Sequence, residues 1–264
     1  MFSNLAQLFR YRGLIQSLVA RELKARYRGS VLGFLWSFIN PLLLLGVYWF
    51  VFKTILLNRT EGLQPYALFM LCGILPWTWF AASLTEASNS LIAGGNLIKK
   101  VLFPAEVLPL VSVLANMVHF LLPLPLVMAL LVYNSRAPEL PGLLWLPILV
   151  LVQFVFTAGL ALTLAALTVH FRDIRDILTN VLMLWFFSTP IIYFYKQPEF
   201  SAYKWLFDLN PVAHLMISYQ EILFLQGGFG HWRWLLVIGV ASSGLFLAGY
   251  WLFDRLRDSF AEVV

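Results

Sequence analysis

The chain has 264 residues, of which 61% are hydrophobic, 16% aromatic and only 12% charged, with a formal net charge of +5. A soluble domain is about 45–50% apolar and about 25% charged. This composition therefore excludes a water-soluble enzyme, a disordered segment and a nucleic-acid-binding domain, and reads as a membrane protein.

Residues 4–28 read as an amphipathic helix. Leu5, Leu8, Ile15, Val19 and Leu23 share one side, and Arg10, Ser17, Arg21, Lys24 and Arg28 lie opposite. That is the pattern of a helix lying in the membrane interface. Arg12 and Arg26 fall on the apolar side. Two readings stand for these arginines. They orient the chain and hold anionic lipid, or Arg26 and Arg28, at the mouth of the first span, receive an anionic substrate head group, because arginine forks suit phosphate oxygens.

Six runs are apolar enough to span a bilayer, at about 33–53, 66–92, 106–133, 142–169, 174–195 and 232–253, each near the ~20 residues a spanning helix needs. Their continuity excludes a β-barrel, whose strands alternate over ~10 residues. Pro41, Pro123, Pro125 and Pro190 predict kinks. Gly29 and Gly33 have the G-x-x-x-G spacing that permits close helix contact. Glu86, His119 and Gln153 are the main polar groups inside the spans, and no acid sits clearly at mid-membrane, which argues against a proton-driven carrier.

Six spans put both termini on one side. With the termini inside, Arg10, Arg12, Arg21, Lys24, Arg26, Arg28, Lys99, Lys100, Arg172, Arg175, Arg255 and Arg257 are cytoplasmic, 12 of the 18 Lys and Arg. The excess of basic residues on cytoplasmic loops selects that orientation.

The loops carry further signals. Asn96 begins a short helix over Leu97–Leu102, which Pro104 helps to end. It presents Leu97, Ile98, Val101 and Phe103 beside Lys99 and Lys100, either as a docking element for a partner or as a simple anchored turn. In the run 171–176, Arg172 and Arg175 alternate with Asp173 and Asp176, which predicts ion pairing at a helix start in preference to a Mg²⁺–diphosphate site. Asn210 followed by Pro211 is a helix start, and Gly227 and Gly228 are a stop. The apolar run 212–225 between them is too short to span. With a second short helix over 200–209 it makes a re-entrant hairpin on the external side, acting as a gate or as a static cap. The sequence contains no G-x-x-x-x-G-K-[ST], H-E-x-x-H or G-x-S-x-G, and its four histidines and single Cys72 have no metal spacing.

RELKARYRGSVLGFLWSFINP at 21–41 resembles the opening signature of type-2 ABC exporter permeases, and NLIKKVLFPAE at 96–106 resembles their cytoplasmic coupling segment. FRDIRD at 171–176 and LNPV at 209–212 also fit. The nearest branch is the exporters of O antigen, teichoic acid or capsule. The resemblance implies an all-α integral membrane fold with six transmembrane helices, divided into an interfacial helix at 1–30 and the transmembrane domain at 31–264, with the re-entrant hairpin at 200–226. It implies a transport subunit of the bacterial inner membrane rather than an enzyme. The partners would be a second copy of the chain and two copies of a separate ABC ATPase that holds ATP and Mg²⁺. This chain itself would carry no cofactor and no metal, and would bind no nucleic acid.

By the same resemblance Asn96, Leu97, Ile98, Lys99, Lys100, Val101, Phe103, Arg172, Asp173 and Arg175 would contact the ATPase. Asn210 and Pro211 would open the external gate. The substrate would be a glycan on polyprenyl diphosphate, its diphosphate near Arg26 and Arg28 at the membrane lipids and its sugars in a pore. Trp36, Tyr48, Trp77, Trp185, Phe186, Tyr193 and Tyr195 are the candidates for stacking sugars, as aromatic faces serve unspecific strands elsewhere; the competing role is lipid-facing or interfacial. Another substrate of the same superfamily (teichoic acid, capsule, a lipid or a drug) and an integral membrane sugar-transfer enzyme are the alternative functions.

Overall fold

The computed structural model describes residues 11–51, 63–98, 103–196, 202 and 204–263, with side chains for all of these but 98 and 261–263. Residues 4–10 of the expected interfacial helix and 200, 201 and 203 of the expected hairpin lie outside the described residues. So do Lys99, Lys100 and Val101, and with them the side chain of Ile98.

The described residues are helical, with no strand among them. In chain order the helices are α1 (Arg12–Tyr27), α2 (Trp36–Phe50), α3 (Tyr66–Ala93), α4 (Gly95–Ile98), α5 (Val107–Leu121) and α6 (Leu124–Tyr133). Then follow α7 (Leu140–Leu143), α8 (Leu146–His170), α9 (Ile174–Ser188), α10 (Lys204–Leu209), α11 (Pro211–Leu223) and α12 (Trp232–Val263). Five segments are long and apolar enough to cross a membrane: Gly33–Phe50, Tyr66–Ala93, Val107–Tyr133, Leu140–His170 and Trp232–Phe260. The expected run at 174–195 is helical over the 15 residues Ile174–Ser188, roughly 22 Å at 1.5 Å per residue. Thr189 is already extended and Pro190 follows it. A proline cannot donate to the turn before it, so the helix stops there.

α3 is the central post. It is buried along most of its length, with α5 and α8 packed on it and α2, α9 and α11 reaching it. α12 packs along α8. Gly159 on α8 and Gly249 on α12 let the two backbones meet: a Cβ at Gly249 would lie 2.4 Å from the Gly159 carbonyl oxygen. By contrast Gly29 and Gly33 sit at φ +80° and +48° with nothing within 4 Å of an added Cβ. Their role is to turn the chain between α1 and α2 in a conformation that glycine adopts freely, not to bring helices together.

Pro123 separates α5 from α6, whereas Pro41 and Pro76 are carried inside α2 and α3. Gln153 of α8 donates its side-chain amide to the Pro76 carbonyl at 2.8 Å, so one of the few polar groups inside the bundle ties α8 to α3 beside a proline.

Candidate functional site

One end of the bundle gathers α1, α4 and the starts of α5 and α9, and is called here the basic end. α1 lays Leu14, Ile15, Leu18 and Val19 on Val107 and Val111 of α5. This packing turns its C-terminus toward α3 and α5, and accounts for Arg26 lying on the apolar side. Arg26 Nη2 donates to Glu86 Oε1 of α3 at 2.7 Å, and Nη1 to Asn116 Oδ1 of α5 at 3.1 Å. Asn116 Nδ2 closes the triangle by donating to Glu86 Oε2 at 2.6 Å. Next to it the Tyr27 hydroxyl sits between Ser37 Oγ and His119 Nδ1. Arg28, one residue on, is exposed.

Two open cavities flank this triad. One, of about 530 Å³, lies among α1, α2, α3 and α5 and is lined by Arg26, Tyr27, Trp36, Asn40, Thr78, Asn116 and His119. The other, of about 580 Å³, lies toward the basic end and is lined by Arg21, Glu22, Glu86, Ser90, Arg175 and Asp176. Both mix apolar walls with hydroxyl, amide and guanidinium groups, a lining suited to an amphiphile with a charged, polar head.

The segment joining α3 to α5 is anchored from within. Leu97 and Phe103 pack against a cluster that includes Leu91, Leu108, Leu162 and Phe253, and α4 touches both α3 and the end of α12. Asn96 is exposed on the short α4. Arg172, Asp173, Arg175 and Asp176 are all exposed. The ion pairing expected among them is not found: the two ion pairs among the described residues are Arg26–Glu86 and Lys196–Glu221. Their side chains are left free at a bundle end.

The aromatic candidates divide into three groups. Trp77, Trp185 and Phe186 come together, with Trp77 only 6% exposed, where α9 packs on α3. Trp36 lines the 530 Å³ cavity, its indole N–H donating to Ser30 Oγ at 3.1 Å. Tyr48 is half-buried against the core. Tyr193 and Tyr195 lie at the opposite end, beside Phe207 and His231.

At that opposite end α11 is buried from Val212 to Leu223. Asn210 caps it by accepting from the backbone N–H groups of Val212 and Ala213, while Pro211 fills the first helical position. The same Asn210 Oδ1 accepts from Trp185 Nε1 at 2.8 Å, and its Nδ2 donates to Thr189 Oγ1 at 3.1 Å. Gln220 donates to the Pro190 carbonyl at 3.1 Å. Glu221 accepts from the backbone of Gly230 and His231 and from the Tyr195 hydroxyl. Asn116, Gln220 and Glu221 gave no signal in the sequence, because each acts on a partner 26 or more residues away or on a loop backbone. No group of three or more metal-ligating side chains occurs among the described residues.

The family model described as "ABC-2 type transporter" matches residues 13–224. The chain is 40% identical, over 100% of both lengths, to the "O-antigen export system permease protein RfbA" of Myxococcus xanthus. It is 35% identical to a protein of the same description from Klebsiella pneumoniae, covering 99% of this chain and 97% of that one. A second Klebsiella pneumoniae protein so described is 33% identical with the same coverage.

Proposed function

The chain belongs to the ABC-2 type transporter family, and on that premise we propose that it is the membrane-spanning subunit of an ATP-driven exporter of O antigen. The observation that carries this reading is similarity along the whole chain to permeases of O-antigen export systems. The polymer travels on a polyprenyl diphosphate carrier, and the exporter sits in the bacterial inner membrane with both termini of this chain in the cytoplasm. ATP and Mg²⁺ are held by two copies of a partner ATPase, which dock on Asn96–Phe103 and on Arg172, Asp173 and Arg175. The exposed charges of the second loop and the internal anchoring of Leu97 and Phe103 support this docking. Anchored side chains pass a push on the loop into α3, α5 and α12 rather than absorbing it.

The diphosphate head is received at Arg26 and Arg28, beside the polar cavity. Sugars then pass along aromatic faces, among them Trp36 and the half-buried Tyr193 and Tyr195, and leave past the hairpin that Asn210 and Pro211 open. Two copies of the chain form the path. The uncovered apolar faces of α2 and α9 support the pairing, since Leu43 and Val47 of α2 and Leu184 and Phe187 of α9 are exposed.

The test is to purify the chain with its co-expressed ATPase in lipid discs and measure hydrolysis with and without polyprenyl-diphosphate-linked glycan. Stimulation by the glycan lipid, absent with polyprenyl diphosphate-free membranes, is expected. An ATPase that never co-purifies, or whose rate ignores the glycan lipid, would sink the reading.

A further inference from the structure

The Arg26–Glu86–Asn116 triad joins three helices at one point. Arg26 ends α1, Glu86 lies about two turns before the end of α3, and Asn116 is on α5. α3 and α5 are the helices that enter and leave the segment 94–106. Both oxygens of Glu86 are engaged, one by Arg26 and one by Asn116, and the two Nη atoms of Arg26 are shared between Glu86 and Asn116. The side chains of Arg26 and Glu86 remain 31% and 35% exposed, so another anion can reach the guanidinium.

We propose that Glu86 is an internal stand-in for phosphate: a lipid-borne phosphate or diphosphate takes Arg26 from Glu86 and so releases the C-terminal end of α1 from α3, while Leu14, Ile15, Leu18 and Val19 keep the rest of α1 on α5. The proposal rests on the reading of Arg26 as a head-group contact. A carboxylate and a phosphate meet the arginine fork in the same geometry, so one replaces the other without rebuilding the site. The cavity on the Arg26 side offers phosphate oxygens further donors in the Ser30 hydroxyl and the Asn40 amide. His119, on the same wall, has a buried Nε2 with no hydrogen-bond partner. The displaced carboxylate is not stranded. Glu86 keeps Asn116 and borders the second cavity, which also holds Arg21 and Arg175. Arrival of the head group is thereby converted into a change in what α3 holds, one step from the segment that carries α4.

Binding of polyprenyl diphosphate to the purified chain in phosphatidylcholine discs, together with the distance between spin labels at Lys24→Cys on the last turn of α1 and Ala93→Cys on α3, tests this. Cys72 is buried and leaves the two introduced thiols to react. The distance should lengthen on adding polyprenyl diphosphate. Glu86→Gln should bind it about fivefold tighter, the ratio that an exposed ion pair carries, and should show the longer distance without ligand. Glu86→Asp keeps the charge and should behave as the unaltered chain, which guards against a folding defect. Discs containing phosphatidylglycerol and no carrier distinguish the sources: lengthening there assigns the phosphate to bulk lipid, and lengthening only with polyprenyl diphosphate assigns it to the carrier. If Arg26→Gln binds polyprenyl diphosphate as well as the unaltered chain, the head-group reading itself fails. If binding needs Arg26 but Glu86→Gln changes neither affinity nor distance, the stand-in fails alone.

Discussion

His214 and His231 meet at 2.8 Å through Nδ1 and Nε2, and a backbone carbonyl decides where their hydrogens lie. His214 Nε2 faces the Asp208 carbonyl at 3.1 Å; a carbonyl only accepts, so Nε2 carries hydrogen and Nδ1 is left to accept from His231 Nε2. Protonating His214 would set two donors against each other. Burial, with the charges of His214 and Lys196 adding to it, pulls His231 down from 6.5 to about 4. The folded chain therefore keeps His231 neutral while an unfolded chain takes up a proton as pH falls through 6.5. Its contribution to stability is whole above that pH and declines between 6.5 and about 4. The expected outcome is a melting temperature in detergent that drops across this window, and drops less in His231→Gln, whose amide still donates to His214. An equal drop in both would remove His231 as the cause. Residue-scale features like these were legible only where partner and signal are neighbours in sequence. Asn210–Pro211 announced a helix start, but Trp185 and Thr189 on the far side of Asn210 did not. Arg26 stood out as a charge on an apolar face, while Glu86, 60 residues away, gave no hint that it was the answer.

Helix α11 shows why a run of apolar residues is ambiguous at the scale of an element. The sequence marked its start, and 14 apolar residues were too few to span; what it could not show is that every helical residue after Pro211 would be buried inside the protein. Four polar side chains bind α11 to its surroundings: Asn210 and Gln220 hold the unwound end of α9, His214 holds the end of α10 and His231, and Glu221 holds the entry to α12. Any opening of the far end therefore carries the end of α9 and the start of α12 along with α11. α10 is different, with Trp205 and Leu209 exposed. The α8–α12 contact was the least legible element pair, since a glycine matters there only through the backbone opposite. Gly249→Val puts carbon into the space of the Gly159 carbonyl and of Thr163 Oγ1, where backbone must move; overpacking of this kind costs about 1–3 kcal/mol. Gly244→Ala on the same helix meets nothing within 4 Å and is the control. Thermal unfolding in detergent should show a clear loss for the first and none for the second, since alanine is the better helix former; comparable losses would mean that the α8–α12 contact does not set the cost.

Composition alone settled the class of the whole molecule, because 12% charge cannot cover 61% apolar residues in water. How the helices share their surface was beyond it, as periodicity does not separate a face turned to lipid from one turned to another protein. On α9, Leu178 and Leu182 are buried, while Ile177, Val181, Leu184 and Phe187 line the other side in the open, Leu184 at 72%. α2 is also largely uncovered, with Leu43, Val47 and Trp49 exposed. Lipid alone would serve such faces if they were purely apolar. Thr179 and Asn180 on α9 bond back to the Arg175 and Asp176 carbonyls, and Asn40 on α2 lines the cavity beside Arg26, so these polar groups are served within the chain. The exposed face of α12 around Val240, 77% exposed, is apolar apart from Ser243, whose hydroxyl bonds back to the Gly239 carbonyl. If two copies pair through α9, residue 184 of one copy would come close to residue 184 of the other, since a symmetric interface places the same patch on both sides. Leu184→Cys is therefore expected to form a covalent dimer under mild oxidation in membranes, with buried Cys72 silent. Val240→Cys should stay monomeric on a denaturing gel. Cross-linking through position 240 and not 184 would move the interface to α12, leaving α9 to lipid.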